Sequence, residues 1–162
     1  MAVQVKYNIN NVDRVGRILK QVRDNYPKIG NEIVDTNAKI YYDKLIQNIQ
    51  SQSLSLTPLN AQYQARKGLL GLDTRVLIAT GEYLDSIQIR SVYKGKETRR
   101  HVGVDSRSTH SGGLKMSSLA IILEYGTSDG RIPPRAHYST TWQQVLPEIK
   151  SNTLAKARSM IR

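Results

Sequence analysis

Apolar residues recur every three or four positions along most of this chain and every second position only between Ile87 and Val104. A single short hairpin therefore has to find its cover among helices. Within it, Ile87, Ile89 and Ser91 alternate with Gln88, Arg90 and Val92. Lys94-Gly95-Lys96-Glu97 supplies a turn, and Arg99 to Val104 returns with Val102 and Val104 on one face. Helical spacing flanks the hairpin on both sides, which predicts an α+β fold: a small antiparallel sheet, centred on hairpin 86–104, covered by N-terminal and C-terminal helices.

The helical segments carry their own start and stop signals. Val12, Val15, Ile18, Leu19 and Val22 predict a helix over 12–22 with Asn11 as its cap. Asn25-Tyr26-Pro27 reads as an interruption, after which Ile29, Ile33, Ile40, Leu45 and Ile49 carry a second helix to about residue 50. Thr57-Pro58 opens a short helix over 58–67, ended by Arg66-Lys67-Gly68. Thr80-Gly81 starts a turn of helix through Tyr83 and Leu84, and Leu119, Ile122 and Leu123 form another short helix that Gly126 stops. The last stripe, from Trp142 to Ile161, is divided by Pro147, where a kink or restart is expected. Between hairpin and helix, residues 105–118 are rich in serine and glycine and read as an exposed, mobile loop; 128–134 is a second loop stiffened by Pro133-Pro134. The whole of 1–162 reads as one domain, with N-terminal helices in 1–55, a core in 56–135 and a C-terminal helix in 136–162.

Composition removes several classes of function. The absence of cysteine excludes disulfides, thiolate nucleophiles and sulfur-ligated metals. No run of 18 apolar residues exists and the start lacks a secretory pattern, so a soluble, non-exported chain without a membrane partner is expected. His101, His110 and His137 lie far apart with no metal-binding spacing. No G-x-S-x-G elbow occurs, and Gly126-Thr-Ser-Asp-Gly130 lacks the lysine of a phosphate loop and follows a helix. Neither Glu82 with Asp85 nor Glu124 with Asp129 flanks a recognisable cleft. No catalytic residue, metal site or cofactor is predicted, and the chain reads as a non-enzyme.

Charge points to partners instead. Lys and Arg total 24 against 13 Asp and Glu, a net +11, and an anionic neighbour is expected. Residues 86–115 hold Arg90, Lys94, Lys96, Arg99, Arg100, Arg107 and Lys115 against Glu97 and Asp105, which is 7 − 2 = +5. A basic ribbon of this kind can lie along a DNA backbone without reading sequence, and it can equally be a charged edge that resists aggregation. Both readings stand on the residues alone. Arg131 and Arg135, flanking the stiff Pro133-Pro134 pair, offer guanidinium forks to carboxylates on a neighbour.

Three segments add a resemblance: LTPLNAQYQARKG (56–68), LIATGEYLDSIQIR (77–90) and LAIILEYGTSDGRIPPRAHY (119–138). In order and spacing, Pro58-Leu59, Tyr63 and Lys67-Gly68, then Thr80-Gly81, Leu84 and Ser86-Ile87, then Val102-Gly103, Glu124-Tyr125-Gly126-Thr127 and Ile132-Pro133-Pro134-Arg135 resemble the virion-morphogenesis and tail-completion proteins of tailed bacteriophages. The likeness covers about half of the chain. It departs from the family pattern at Ala136-His137-Tyr138, where the family has proline and phenylalanine directly after the arginine. The resemblance implies a structural virion protein, assembled in the host cytoplasm and resident in the neck. There it would form a ring, a hexamer, that completes the tail and joins it to the head. It implies that Glu124, Tyr125, Arg131, Pro133, Pro134 and Arg135 meet sister subunits or neck partners such as a connector, a stopper or the tail tube. It also implies that Arg90, Lys94, Lys96, Arg99, Arg100 and Arg107 face the lumen through which genomic DNA passes. The alternative is a basic DNA-binding protein without sequence specificity.

Overall fold

The computed structural model describes residues 9–94 and 97–159, with side chains over 14–92 and 99–159. Its elements run α1 (Ile9–Ser51), α2 (Ala61–Leu69), α3 (Glu82–Asp85), β1 (Ile87–Lys94), β2 (Glu97–Val104), α4 (Met116–Tyr125) and α5 (His137–Ser159). The fold is α+β: β1 and β2 pair antiparallel, and α1 and α5 pack together with α1 laid against the hairpin. Pairing runs from Ile87 opposite Val104 to Lys94 opposite Glu97, so the alternating residues fall on the faces that their spacing predicts.

Burial is concentrated at the base of the hairpin. Ile87 and Val104 sit there with Leu45 and Ile49 from α1, Ile78 and Tyr83 from the segment before β1, and Met116 and Ala120 from α4. Farther out, Ile89 and Val92 are exposed, and the hairpin is held to α1 by an ion pair from Arg100 to Asp35. Arg90 turns back to Asp105 at 2.7 Å and to the Val104 carbonyl at 2.9 Å. α5 runs antiparallel to α1. Asn48 donates to Thr141 and Gln144 at one end, Asn37 meets Thr153 and Asn152 farther along, and Lys156 reaches Glu32 at the other.

Both prolines expected to interrupt helices are carried inside them. Pro27 lies within the 43-residue α1 and Pro147 within α5. A proline frees the carbonyl four residues earlier, here Arg23 and Gln143. All four of these residues are exposed, so water can take the freed bonds, and around Pro147 the packing of α5 on α1 supports the helix as well. The short helix also begins later than its Thr57-Pro58 signal. Asn60 is the cap, accepting from the Gln62 N–H at 2.9 Å, while the Thr57 hydroxyl donates to the Pro134 carbonyl. Asparagine caps at least as well as threonine, and Thr57 is drawn off by a tertiary contact.

The 105–115 segment, despite its composition, is tied down at several points. Thr109 and Lys115 form a bridge, the Met116 N–H donates to Ser108, and the Ser111 N–H donates to Glu82.

Candidate functional site

The longest of the three segments that carry the resemblance, 119–138, builds one unit. α4 ends at Gly126, whose N–H reaches the Ile122 carbonyl at 2.8 Å and whose φ of 78° and ψ of −176° suit glycine alone. The chain then closes a compact loop. Thr127 donates its N–H to the Ile132 carbonyl and accepts the Ile132 N–H on its hydroxyl, which itself donates to Asp129 at 2.6 Å. The loop presents Arg131, paired at 3.2 Å with Asp129, and both side chains are largely exposed.

Beneath this loop lies a buried polar cluster. The Glu124 carboxylate accepts the Tyr138 N–H at 3.0 Å, the Ser139 N–H at 3.0 Å and the Ser139 hydroxyl at 2.6 Å, and so caps the first turn of α5. His137, with no exposed surface, places Nδ1 at 2.8 Å from the Arg135 carbonyl and Nε2 at 2.6 Å from the Tyr83 hydroxyl. A carbonyl only accepts, so Nδ1 carries the proton and Nε2 accepts from Tyr83. Glu124 Oε2 stands 3.2 Å from the same Nδ1. Arg135, also buried, donates Nε to Thr57 at 2.9 Å and a terminal nitrogen to Pro58 at 3.2 Å. Lys67 closes the adjoining loop by donating to the carbonyls of Arg75 and Ile78.

The cluster makes the fold acid-sensitive. Burial pushes the His137 pKa below its usual 6.5, against the Arg135 carbonyl and Glu124, which raise it. Below about pH 6.5 the unfolded chain takes up a proton that the folded chain refuses, so stability falls with pH. For Glu124, burial acts to raise the pKa, but the Ser139 hydroxyl and the Ser139 and Tyr138 amides outweigh it and hold the group below 4.5. Its contribution is full above that value and is lost on further acidification, in the same direction. Urea-unfolding midpoints should therefore drop from about pH 7 to pH 5, and His137→Gln, though less stable overall, should flatten that stretch.

The sequence-predicted interface residues thus divide. Glu124 and Arg135 are inside, bonded to their own chain, so Arg135 does not offer its guanidinium to a neighbour. Tyr125, Arg131 and Pro134 are exposed and Pro133 is half-buried. Among the cations assigned to a lumen, Arg90 and Arg100 hold Asp105 and Asp35, while Arg99 and Arg107 are exposed on the surface. The side chains of Lys94 and Lys96 lie outside the described residues.

Two surfaces bring motif residues together with residues outside the motifs. A cavity of about 780 Å³ opens between α2, α4 and the 131–135 stretch, lined by Tyr63, Leu77, Leu119, Leu123 and Ile132. On the opposite side of α4, Ile121 and Tyr125 stand exposed beside Trp142, whose ring meets Tyr41 edge-on at 5.7 Å. The four-residue spacing of Ile121 and Tyr125 was the available signal, since it places both on one helix face.

Among the described residues no group of three or more histidines, carboxylates or cysteines could hold a metal ion, and no helix is long and apolar enough to cross a membrane. No protein-family model, curated protein or solved structure matches this chain.

Proposed function

We propose that this chain is a structural subunit of a tailed-phage neck, forming a ring that completes the tail and joins it to the head. The observation that supports this most is the distribution of apolar surface. Among the described residues, fourteen large hydrophobic side chains are exposed, against twelve apolar residues in the buried core. Several cluster, as Ile121, Tyr125 and Trp142 do, and clustered apolar surface marks a chain built to be covered by others. The polar cluster around Glu124 and His137 is sealed in the interior, where it sets the angle between α4 and α5 and so aims the 127–134 loop outward. In this reading α4 and the loop meet neighbouring subunits and neck proteins through heterologous contacts that close into a ring.

Arg131 is the side chain to test, because it is exposed and outside the buried cluster. Arg131→Glu should leave thermal unfolding within about 0.5 kcal/mol of the parent, as surface changes do. In a phage carrying the variant, full heads and free tails should accumulate unjoined. A normal yield of infectious particles would overturn this role for the loop.

A further inference from the structure

The N-terminal part of α1 extends beyond the body. Among the described residues, the α5 contact nearest the N-terminus of α1 is Lys156 with Glu32, and upstream of that point Val15, Leu19 and Tyr26 are each more than half exposed. Val15, Leu19, Val22, Tyr26, Ile29 and Ile33 follow one another at alternating spacings of four and three. This is the heptad pattern of a coiled coil, with Leu19, Tyr26 and Ile33 at a and Val15, Val22 and Ile29 at d. The stripe is narrow, unlike the broad apolar face of a helix lying in a membrane surface, and it continues the face that α5 covers within the same chain.

We propose that residues 15–33 of α1 form a parallel coiled-coil seam with the same segment of further copies of this chain, in a bundle of three or four helices. Charge placement favours identical partners. Arg14, Arg17, Lys20 and Lys28 fall at c, f, b and c, away from the seam, and Arg23, at e, faces position g, which holds Ile18, Asn25 and Glu32 and no cation, so like charges do not oppose one another across the seam. The other two e positions are Gly16 and Gly30, each with open space where a side chain would project, so neighbouring helices can approach closely there. Pro27 falls at b and faces out of the bundle. Number and direction follow from the core residues and from symmetry. β-Branched side chains at all three d positions disfavour two strands, and same-way helices close by rotation into three as readily as four. The seam is about 28 Å long at 1.5 Å per residue. It requires no neck and stands apart from the assignment to a phage.

Light scattering on the eluting full-length protein, at about 50 μM and moderate salt, tests the bundle; the paired variant Leu19→Asp with Val22→Asp is the control. The parent should elute as a trimer or tetramer and the variant as a monomer, with an unchanged urea midpoint for the body. The chain lacks cysteine, so a single introduced one reports geometry cleanly. Val22→Cys should crosslink between chains under mild oxidation, and Arg17→Cys, at an outward position, should not. A monomeric or dimeric parent would overturn the proposal, and so would an oligomer that the paired variant leaves intact. A parent that is monomeric yet sediments with vesicles of phosphatidylglycerol, losing that binding in the variant, would assign the stripe to an anionic membrane instead.

Discussion

Glu124→Ala is expected to cost the fold about 2–5 kcal/mol, because buried donors left unpaired cost about 1–3 kcal/mol each. Three donors at the start of α5, the Tyr138 and Ser139 amides and the Ser139 hydroxyl, would be left without their acceptor, and His137 would lose the carboxylate beside Nδ1. The two amides are fixed by the helix backbone and point at the buried Glu124, whereas the Ser139 hydroxyl, on an exposed residue, can rotate to water. Urea unfolding checks this: the midpoint should fall sharply while the slope stays the same, showing that the native state is lost more easily and not reshaped. Glu124→Gln keeps the volume and one acceptor oxygen, and its loss should be smaller. A cost below about 1 kcal/mol for the alanine variant would show that the cap contributes little.

Gly126→Ala is the second large effect. The glycine's backbone angles, φ 78° and ψ −176°, lie in a region that costs other residues about 1–3 kcal/mol. In addition, an added Cβ would stand 2.7 Å from the Ile132 carbonyl oxygen and 3.0 Å from the Pro134 nitrogen. Both are backbone atoms, so the clash cannot be relieved by turning a side chain. A total near 3 kcal/mol corresponds to a melting temperature lower by roughly 6–12 °C for a chain of this size. The same change would shift the 127–134 loop, and on the proposed neck role head-to-tail joining should then fail even at temperatures where the variant is folded. By contrast, Gly130→Ala meets no atom within 4 Å, and its strain comes from φ alone.

These two positions show what the residues disclose in advance and what they hide. The hairpin was legible because alternation over Ile87 to Val104 has one structural meaning, and its register followed from the same spacing. The stop at Gly126 was legible because glycine after a helical stripe is a local signal. Pro27 misled because proline's cost is also local, whereas the exposure of the carbonyl it frees is not. Glu124 and Arg135 misled for a related reason. A charged side chain defaults to the surface, and only the folded chain brings the amides of α5 to one and the carbonyls of Thr57 and Pro58 to the other. His137 carried no local sign of burial, since its partners Tyr83 and Glu124 come from separate elements. In the phage-like segments, Lys67, Glu124, Gly126 and Arg135 all prove to be parts of the scaffold. The residues between them, Tyr125, Arg131 and Pro134, are exposed.

The most direct measurement is quantitative mass spectrometry of purified, DNA-filled particles of a phage whose genome encodes this chain. The assignment to a neck ring predicts the protein in every preparation, in a fixed low ratio to the capsid protein that corresponds to one ring per particle. Infectious particles that lack the protein would contradict it.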